Sequence, residues 1–351
     1  MEKSQIEFNI PLISIVRVVL VVLAVIFLYF IGDILYLIFI SFFLTTLIEP
    51  LVDYFEIKKI PRVFGMLLVY AFSVILIGAL VWLITPPIAD QFTQLIGNFP
   101  DLWNRFVENF SELKNLANRL GLYQNTETNF SSLELGLTKA ATGFYAFVLT
   151  FFKSLFDIIF VLVLTFYLIL EKDSINKLFK AVVPIKYLPR SVKVYAEIKD
   201  KVGDWARGQL ILGLIIGVMV FSGLIFLVPK YALLLAIIAG VLEMVPYFGP
   251  ILSAIPAIFL GLMVPNFSVP RGLAVLILFI IIQWLENNLL VPQVMKKKVG
   301  ISPVVTIISM LIGVRIFGII GIIIAVPLAV ALSIFLKEFG RKQTSAEKTE
   351  K

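Results

Sequence analysis

The chain has 351 residues, of which 60% are hydrophobic and only 15% charged, with a mean hydropathy of +1.01. Soluble domains run at about 45–50% and about 25%, so the bilayer must be the solvent for much of this sequence. It has no His and no Cys, which excludes imidazole bases, His-dependent triads, disulfides, thiolate nucleophiles, zinc-thiolate sites and iron–sulfur clusters, while the net charge of +7 fits basic cytoplasmic loops better than a nucleic-acid partner.

Residues 10–52 form one apolar stretch of 43 residues. As a helix it is about 65 Å long, against a ~30 Å hydrocarbon core. Gly32-Asp33 divides it into spans at 10–31 and 34–52. A third span, 63–86, is closed by Pro86-Pro87, and 141–170 and 208–228 read as the fourth and fifth. Between the third and fourth, Phe106, Phe110, Leu113, Ala117 and Leu120 recur at helical spacing, predicting an amphipathic helix over 101–120 that Gly121 can end. Ser131–Glu134 has capping-box spacing for the next helix. A second amphipathic helix, with Val194, Ile198, Val202 and Trp205 on one face, runs into the fifth span. Both read as helices packed on the membrane surface or on neighbouring subunits. Gly213 and Gly217 on that span have the spacing of close helix packing.

Lys and Arg set the sidedness. Residues 171–207 hold nine basic and five acidic residues, the tail from 337 five and three, and 296–298 three lysines without an acid. Residues 88–140 have four basic and six acidic residues. The positive-inside rule therefore places 88–140 outside and both termini in the cytoplasm. The sixth full span, 273–291, then runs inward to Lys296.

Two apolar segments do not fit single crossings. Residues 232–262 and 304–336 number 31 and 33, about 47–50 Å as straight helices. The first is interrupted by Pro246, Tyr247, Phe248, Gly249 and Pro250, the second by the segment from Phe317 and Gly318 to Gly321. By the sidedness above, each begins and ends on one side, which predicts two opposed re-entrant hairpins. Irregular backbone at that depth needs protein or water around it. The alternative keeps both as broken full spans, eight in all, and needs Lys296–Lys298 outside. The stretches 249–257 and 321–329 also align loosely. That is the form of an inverted repeat, or a chance likeness of Ile/Ala/Pro-rich membrane sequence.

The motifs Glu243-Met-Val-Pro-Tyr-Phe-Gly-Pro250, Glu286-Asn-Asn-Leu-Leu-Val-Pro-Gln-Val-Met295, Lys298-Val-Gly-Ile-Ser-Pro303, Phe317-Gly-Ile-Ile-Gly321 and Ala325-Val-Pro327 resemble the signature of the autoinducer-2 exporter (AI-2E) family, also called the PerM-type permeases. The C-terminal motifs are distinctive, and the N-terminal half matches by order of spans. The resemblance implies a bacterial inner-membrane, multi-pass exporter with autoinducer-2, a quorum-sensing signal, as best-known substrate. It also implies a homo-oligomer, and sodium(lithium)/proton antiport in some relatives.

Charges near mid-membrane are costly and ask for a reason. Glu243 and Arg315 fall near the two hairpin tips and Glu286, beside Asn287, toward the inner end of the last full span. These four are the candidate substrate- and ion-binding residues, with Glu243 and Arg315 expected to approach each other. Their bland reading is a hydrogen-bonded network holding the hairpins together. The hairpin-tip residues, with Gly249 and Gly318 as permissive backbone, are candidate gates. Lys153 and Asp157, four residues apart, read as a self-neutralising ion pair in the fourth span.

The fold expected is an all-α polytopic membrane protein of about six full spans plus two opposed hairpins. The segments are 1–87, 88–140, 141–170, 171–207, a transport core at 208–336 and a basic tail at 337–351. No catalytic constellation, metal set, cofactor motif or nucleotide-binding Gly-x-x-x-x-Gly-Lys-Ser/Thr loop is present, so a non-enzymatic transporter is expected. Its partners are lipid, a small polar substrate, and a proton or sodium as coupling ion. A non-transporting scaffold leaves the broken hairpins unexplained.

Overall fold

The computed structural model describes residues 12–119, 155–171, 177, 180, 181, 183–295 and 302–346. The described residues contain helices and no strand. In chain order the helices are α1 (Leu12–Phe30), α2 (Gly32–Ile57), α3 (Arg62–Arg119), α4 (Leu155–Leu170), α5 (Leu188–Leu227), α6 (Ala232–Leu242), α7 (Phe248–Met263), α8 (Val269–Leu285), α9 (Val291–Val294) and α10 (Pro303–Ala346). A π-helical turn, Glu286–Leu290, joins α8 to α9.

Among the described residues, five helices are long and apolar enough to cross a membrane: Ile34–Ile57, Arg62–Phe106, Ile185–Leu227, Val269–Val294 and Gly321–Glu338. Shorter apolar helices cover Asp157–Leu170, Pro229–Leu242, Phe248–Met263 and Pro303–Ile316. Large apolar side chains such as Phe72, Val74, Ile75 and Trp82 are exposed. Outward apolar faces on long helices identify a polytopic membrane protein. The capping box at Ser131, Lys153 of the expected ion pair, and Lys296–Lys298 lie outside the described residues. Asp157 is described, partly buried on α4 near Tyr36 of α2.

One expectation is corrected. Pro86-Pro87 does not end the third helix, and no separate amphipathic helix begins at 101. α3 runs unbroken over 58 residues, with Pro86, Pro87 and Pro100 inside it. A proline removes one ladder hydrogen bond and crowds the preceding turn, but its fixed φ is helical, and packing on both sides holds the helix together. Beyond the prolines, Ile88, Phe92, Leu95, Leu102 and Phe106 pack against α5–α8. Gln91 Oε1 accepts the Leu234 N–H in the first turn of α6 at 3.0 Å. Phe99, Trp103 and Phe106 stack around Phe259 of α7, with centroids 5.7–6.4 Å from its ring.

With lipid as the competing solvent, helices associate through close packing of small residues rather than through hydrophobicity. The contact of α5 with α6 follows that rule. A Cβ on Gly213 would lie 2.6 Å from the Gly240 carbonyl, and one on Gly240 would lie 2.8 Å from the Gly213 carbonyl. Helix α7 returns alongside α6 and packs on α8, where Gly261 lies against Val275 and Gly272. The chain thus reverses between α6 and α7. It reverses again within α10 at Gly318, so that Gly313 abuts the Gly321 carbonyl and Ala325.

At the start of α3 a charged cluster ties α2, α3 and α5 together. Arg62 lies 3.0 Å from Asp53 and 3.6 Å from both Glu49 and Glu56. Lys199 of α5 pairs with Glu49 from the other side. Arg207 donates to the Thr46 carbonyl at 2.7 Å and pairs with Asp204. A cavity of about 150 Å³ lies between Thr46, Glu49, Asp53, Lys199 and Arg207. The Arg62 and Glu49 side chains are only 12% and 9% exposed, Lys199 29%. Arg62 is the more buried cation and meets three carboxylates where Lys199 meets one. Arg62→Met is therefore expected to lower unfolding stability more than Lys199→Met, measured by thermal denaturation in detergent. Equal losses would show that Arg62 is not the centre of this cluster.

Candidate functional site

The turn between α6 and α7 spans Glu243–Tyr247 and is built by main-chain hydrogen bonds. Glu243 N–H donates to Ala239 at 2.9 Å, Val245 N–H to Leu242 at 2.8 Å, and Gly249 N–H to Val245 at 2.8 Å. Tyr247 carries the reversal at φ +69°, an uncommon conformation for a residue with a Cβ. The helix resumes at Phe248, so the Phe248-Gly249-Pro250 part of the expected break is already α7. Gly249 serves by close approach: a Cβ there would run into the Leu242 carbonyl. Gly318 is the reverse case. Nothing lies within 4 Å of its missing Cβ, but its φ of +62° and ψ of −149° fall near a region that only glycine enters.

Glu243, the last residue of the first half-hairpin, is buried with 2% exposure. Its main-chain carbonyl, left without a helical donor by the turn, accepts a hydrogen bond from the Gln209 side chain of α5, itself 2% exposed. Its carboxyl group faces that of Glu286. Glu286 opens the π-helical turn and is 7% exposed. Gln283, one turn earlier, donates to Glu286 Oε2 at 3.1 Å. Glu243 Oε2 is buried with no donor. Ser253 of α7 is buried nearby in sequence and bonds to the Pro250 carbonyl at 3.1 Å. Two carboxyl groups and two amides, drawn from α5, the first hairpin and the α8–α9 junction, thus form one polar cluster. π-helical turns are frequent at functional sites, and Glu286 is the buried residue of this one.

Of the four candidate residues Glu243, Arg315, Glu286 and Asn287, the structure brings Glu243 and Glu286 together. Asn287 is exposed, turned away from its buried neighbour Glu286. Arg315 is exposed on the first half of α10, and among the described residues no ion pair joins it to Glu243. The hairpins do approach, but through apolar contact: Val245 of the first turn packs against a cluster formed by Trp205 and Ala206 of α5 with Met310, Ala325 and Val326 of α10. Of the tip residues, Tyr247 and Phe248 are exposed, Gly249 and Gly321 buried, and Pro246 and Pro250 half-buried. Gln209 and Gln283 are members that sequence reasoning missed. Their signal is a lone amide in an apolar helix, which in lipid must find a partner.

A polar cluster at a break between two half-helices is an arrangement that secondary transporters use. The AI-2E family transporter model matches residues 18–341. The chain belongs to this family. YrrI of Bacillus subtilis (strain 168) is 29% identical over 322 residues, covering 87% of this chain and 86% of its own. YueF of the same organism is 29% identical, covering 87% and 82%. Both are named only provisionally as transport proteins. The protein of Escherichia coli (strain K12) named AI-2 transport protein TqsA is 24% identical, covering 88% of this chain and 86% of its own. The AI-2E membership accords with the resemblance read from the motifs at 243–250, 286–295 and 317–327, and the family is one of transport proteins.

Proposed function

We propose that this AI-2E protein exports a small polar molecule of the autoinducer-2 kind by a secondary mechanism driven by a proton or sodium gradient. The observation that carries the reading is the buried Glu243–Glu286 contact at the break between α6 and α7. Buried acids in a membrane protein are expensive and mark ion or substrate pathways. In this reading Glu243 and Glu286 hold the coupling ion. Arg315 and Asn287, exposed where the second hairpin and the π turn face outward, meet the polar groups of the substrate. Tyr247, Gly249, Gly318 and their neighbours let the tips move as gates. The two hairpins enter from opposite faces as halves of an inverted repeat, beside six full spans, in a bacterial inner membrane. Second copies of the chain cover part of the exposed apolar surface.

A sodium(lithium)/proton antiporter is the second reading, favoured by the same carboxyl pair. Flux of autoinducer-2, sodium and protons measured in parallel in proteoliposomes separates the two. Uphill autoinducer-2 flux that stops when both ion gradients are collapsed supports the exporter. Sodium–proton exchange without it supports the antiporter, and no flux of any kind supports a scaffold.

The sidedness has its own test. The chain has no Cys, so single cysteines report cleanly. With an impermeant thiol reagent on intact cells, Asn266→Cys, at an exposed site between α7 and α8, is expected to label and Lys297→Cys to stay protected. Labelling of position 297 alone reverses the topology and removes the opposed-hairpin arrangement.

A further inference from the structure

The carboxyl contact is not symmetric. Two ionised carboxylates only accept hydrogen bonds and repel one another, so two buried acids that face each other favour holding one proton between them. The surroundings distinguish the two. Glu286 Oε2 accepts from Gln283 Nε2 at 3.1 Å. Such a donor favours the charged form of the group it meets. Glu243 Oε2, in a side chain only 2% exposed, has no donor at all. The Gln209 amide that reaches Glu243 is spent on its main-chain carbonyl and leaves the carboxyl group alone. An unpaired carboxylate oxygen at that burial is costly, whereas a neutral carboxyl group is tolerated.

Around the turn that carries Glu243, helix α5 offers neutral Gln209, the second hairpin contributes Met310, Ala325 and Val326 to the apolar cluster on which Val245 packs, and neutral Gln283 of α8 bonds to Glu286. Glu286 is the titratable group that faces Glu243. Two facing carboxyl oxygens can share a proton without any further ligand.

We infer that Glu243 and Glu286 share a single proton, that Glu243 is the member that carries it, and that Gln283 fixes this polarity as a positioning residue by donating to Glu286. The inference rests on the transport reading only for the use made of the proton. Release breaks the O–H bond on Glu243 and forms one on Glu286 or on a water that reaches the turn. The carrying acid belongs to a hairpin turn whose backbone is held from outside by Gln209. The receiving acid belongs to a separate helix, so opening the turn separates the pair and frees the proton.

The residence of the proton can be read without any transport. Infrared difference spectra between H₂O and D₂O are recorded on the purified full chain in lipid nanodiscs at neutral pH. The wild type is expected to show a deuterium-sensitive stretch of a protonated carboxyl group. Glu243→Gln abolishes that band, Glu286→Gln keeps it at a shifted frequency, and Gln283→Leu splits it as the proton distributes over both acids. Saturating sodium leaves the wild-type band in place. Absence of the band overturns the inference, as does its survival in Glu243→Gln or its loss on adding sodium. An unchanged band in Gln283→Leu overturns the positioning role. Elution volume of each variant reports folding. Failure of flux with the band intact rejects the transport reading and leaves the shared proton standing.

Discussion

Replacing Glu243 with Gln is expected to reduce uphill flux in proteoliposomes at least tenfold while leaving yield and elution volume near wild type. A tenfold loss corresponds to about 1.4 kcal/mol of barrier, which is modest for removing the buried acid at the centre of a polar cluster. The amide is nearly isosteric and can donate to Glu286, so the turn keeps its contacts and only the exchangeable proton is lost. Glu286→Gln is expected to lose coupling too, with more residual downhill flux, because the proton-carrying acid remains. Arg315→Met separates this account from one centred on charge pairing across the hairpins. Arg315 is exposed and stands apart from the carboxyl pair, so its loss is expected to weaken substrate affinity with ion dependence unchanged. Wild-type flux and ion dependence in Glu243→Gln reduce the carboxyl pair to structural glue.

Gly249→Val is expected to be the most damaging substitution for folding, and Gly318→Ala a milder one with a different cause. At Gly249 any side chain meets the carbonyl oxygen and carbon of Leu242 and, at 3.0 Å, the Glu243 nitrogen. These are backbone atoms of the same turn, so no rotamer relieves the overlap. Overpacking where neighbours can yield costs about 1–3 kcal/mol, and here the neighbours cannot yield without opening the turn. The expected result is aggregated protein with no monodisperse peak on size exclusion. At Gly318 there is open space, and the penalty is purely that of holding a Cβ at φ +62°, of order 1–3 kcal/mol. Gly318→Ala is expected to express, with a melting temperature several degrees lower. A folded Gly249→Val would mean that α6 and α7 do not approach as closely as described.

The helical segments and the two reversals were legible because lipid leaves few options. Long apolar runs must be helical, and Pro246, Gly249 and Gly318 cluster where no straight helix fits the bilayer. The buried acid of the site was legible for a similar reason, since Glu243 and Glu286 interrupt apolar sequence. Its geometry was not. Opposite charge made Glu243 and Arg315 an attractive pair, but pairing depends on which face of α10 turns inward, and that is set by Gly313, Gly321 and Ala325 packing together. Small residues win that inner face and leave Arg315 outside. Glu286 faces Glu243 from a π turn, and no propensity of Glu-Asn-Asn announces such a turn. The prolines of α3 misled in the opposite direction. Local chemistry argues for a stop at Pro86, and contacts with Leu234 and Phe259, more than a hundred residues away, override it.

Those contacts give α3 a mechanical character. The first residue of this helix is gripped by Glu49 and Asp53 through Arg62, and its second half is clasped to α6 and α7 through Gln91 and Trp103. Along the helix axis Gln91 lies about 44 Å and Trp103 about 62 Å from Arg62. A beam held at both ends transmits torque. Rotation imposed by the charged end reaches the aromatic end, and the load is shed only where the beam bends most easily. Pro86, Pro87 and Pro100, each short of one ladder hydrogen bond, are those places. Leucine at Pro86 and Pro87 would stiffen the beam, so that releasing Arg62 at one end disturbs the Phe259 clasp at the other more strongly than it does in the native chain.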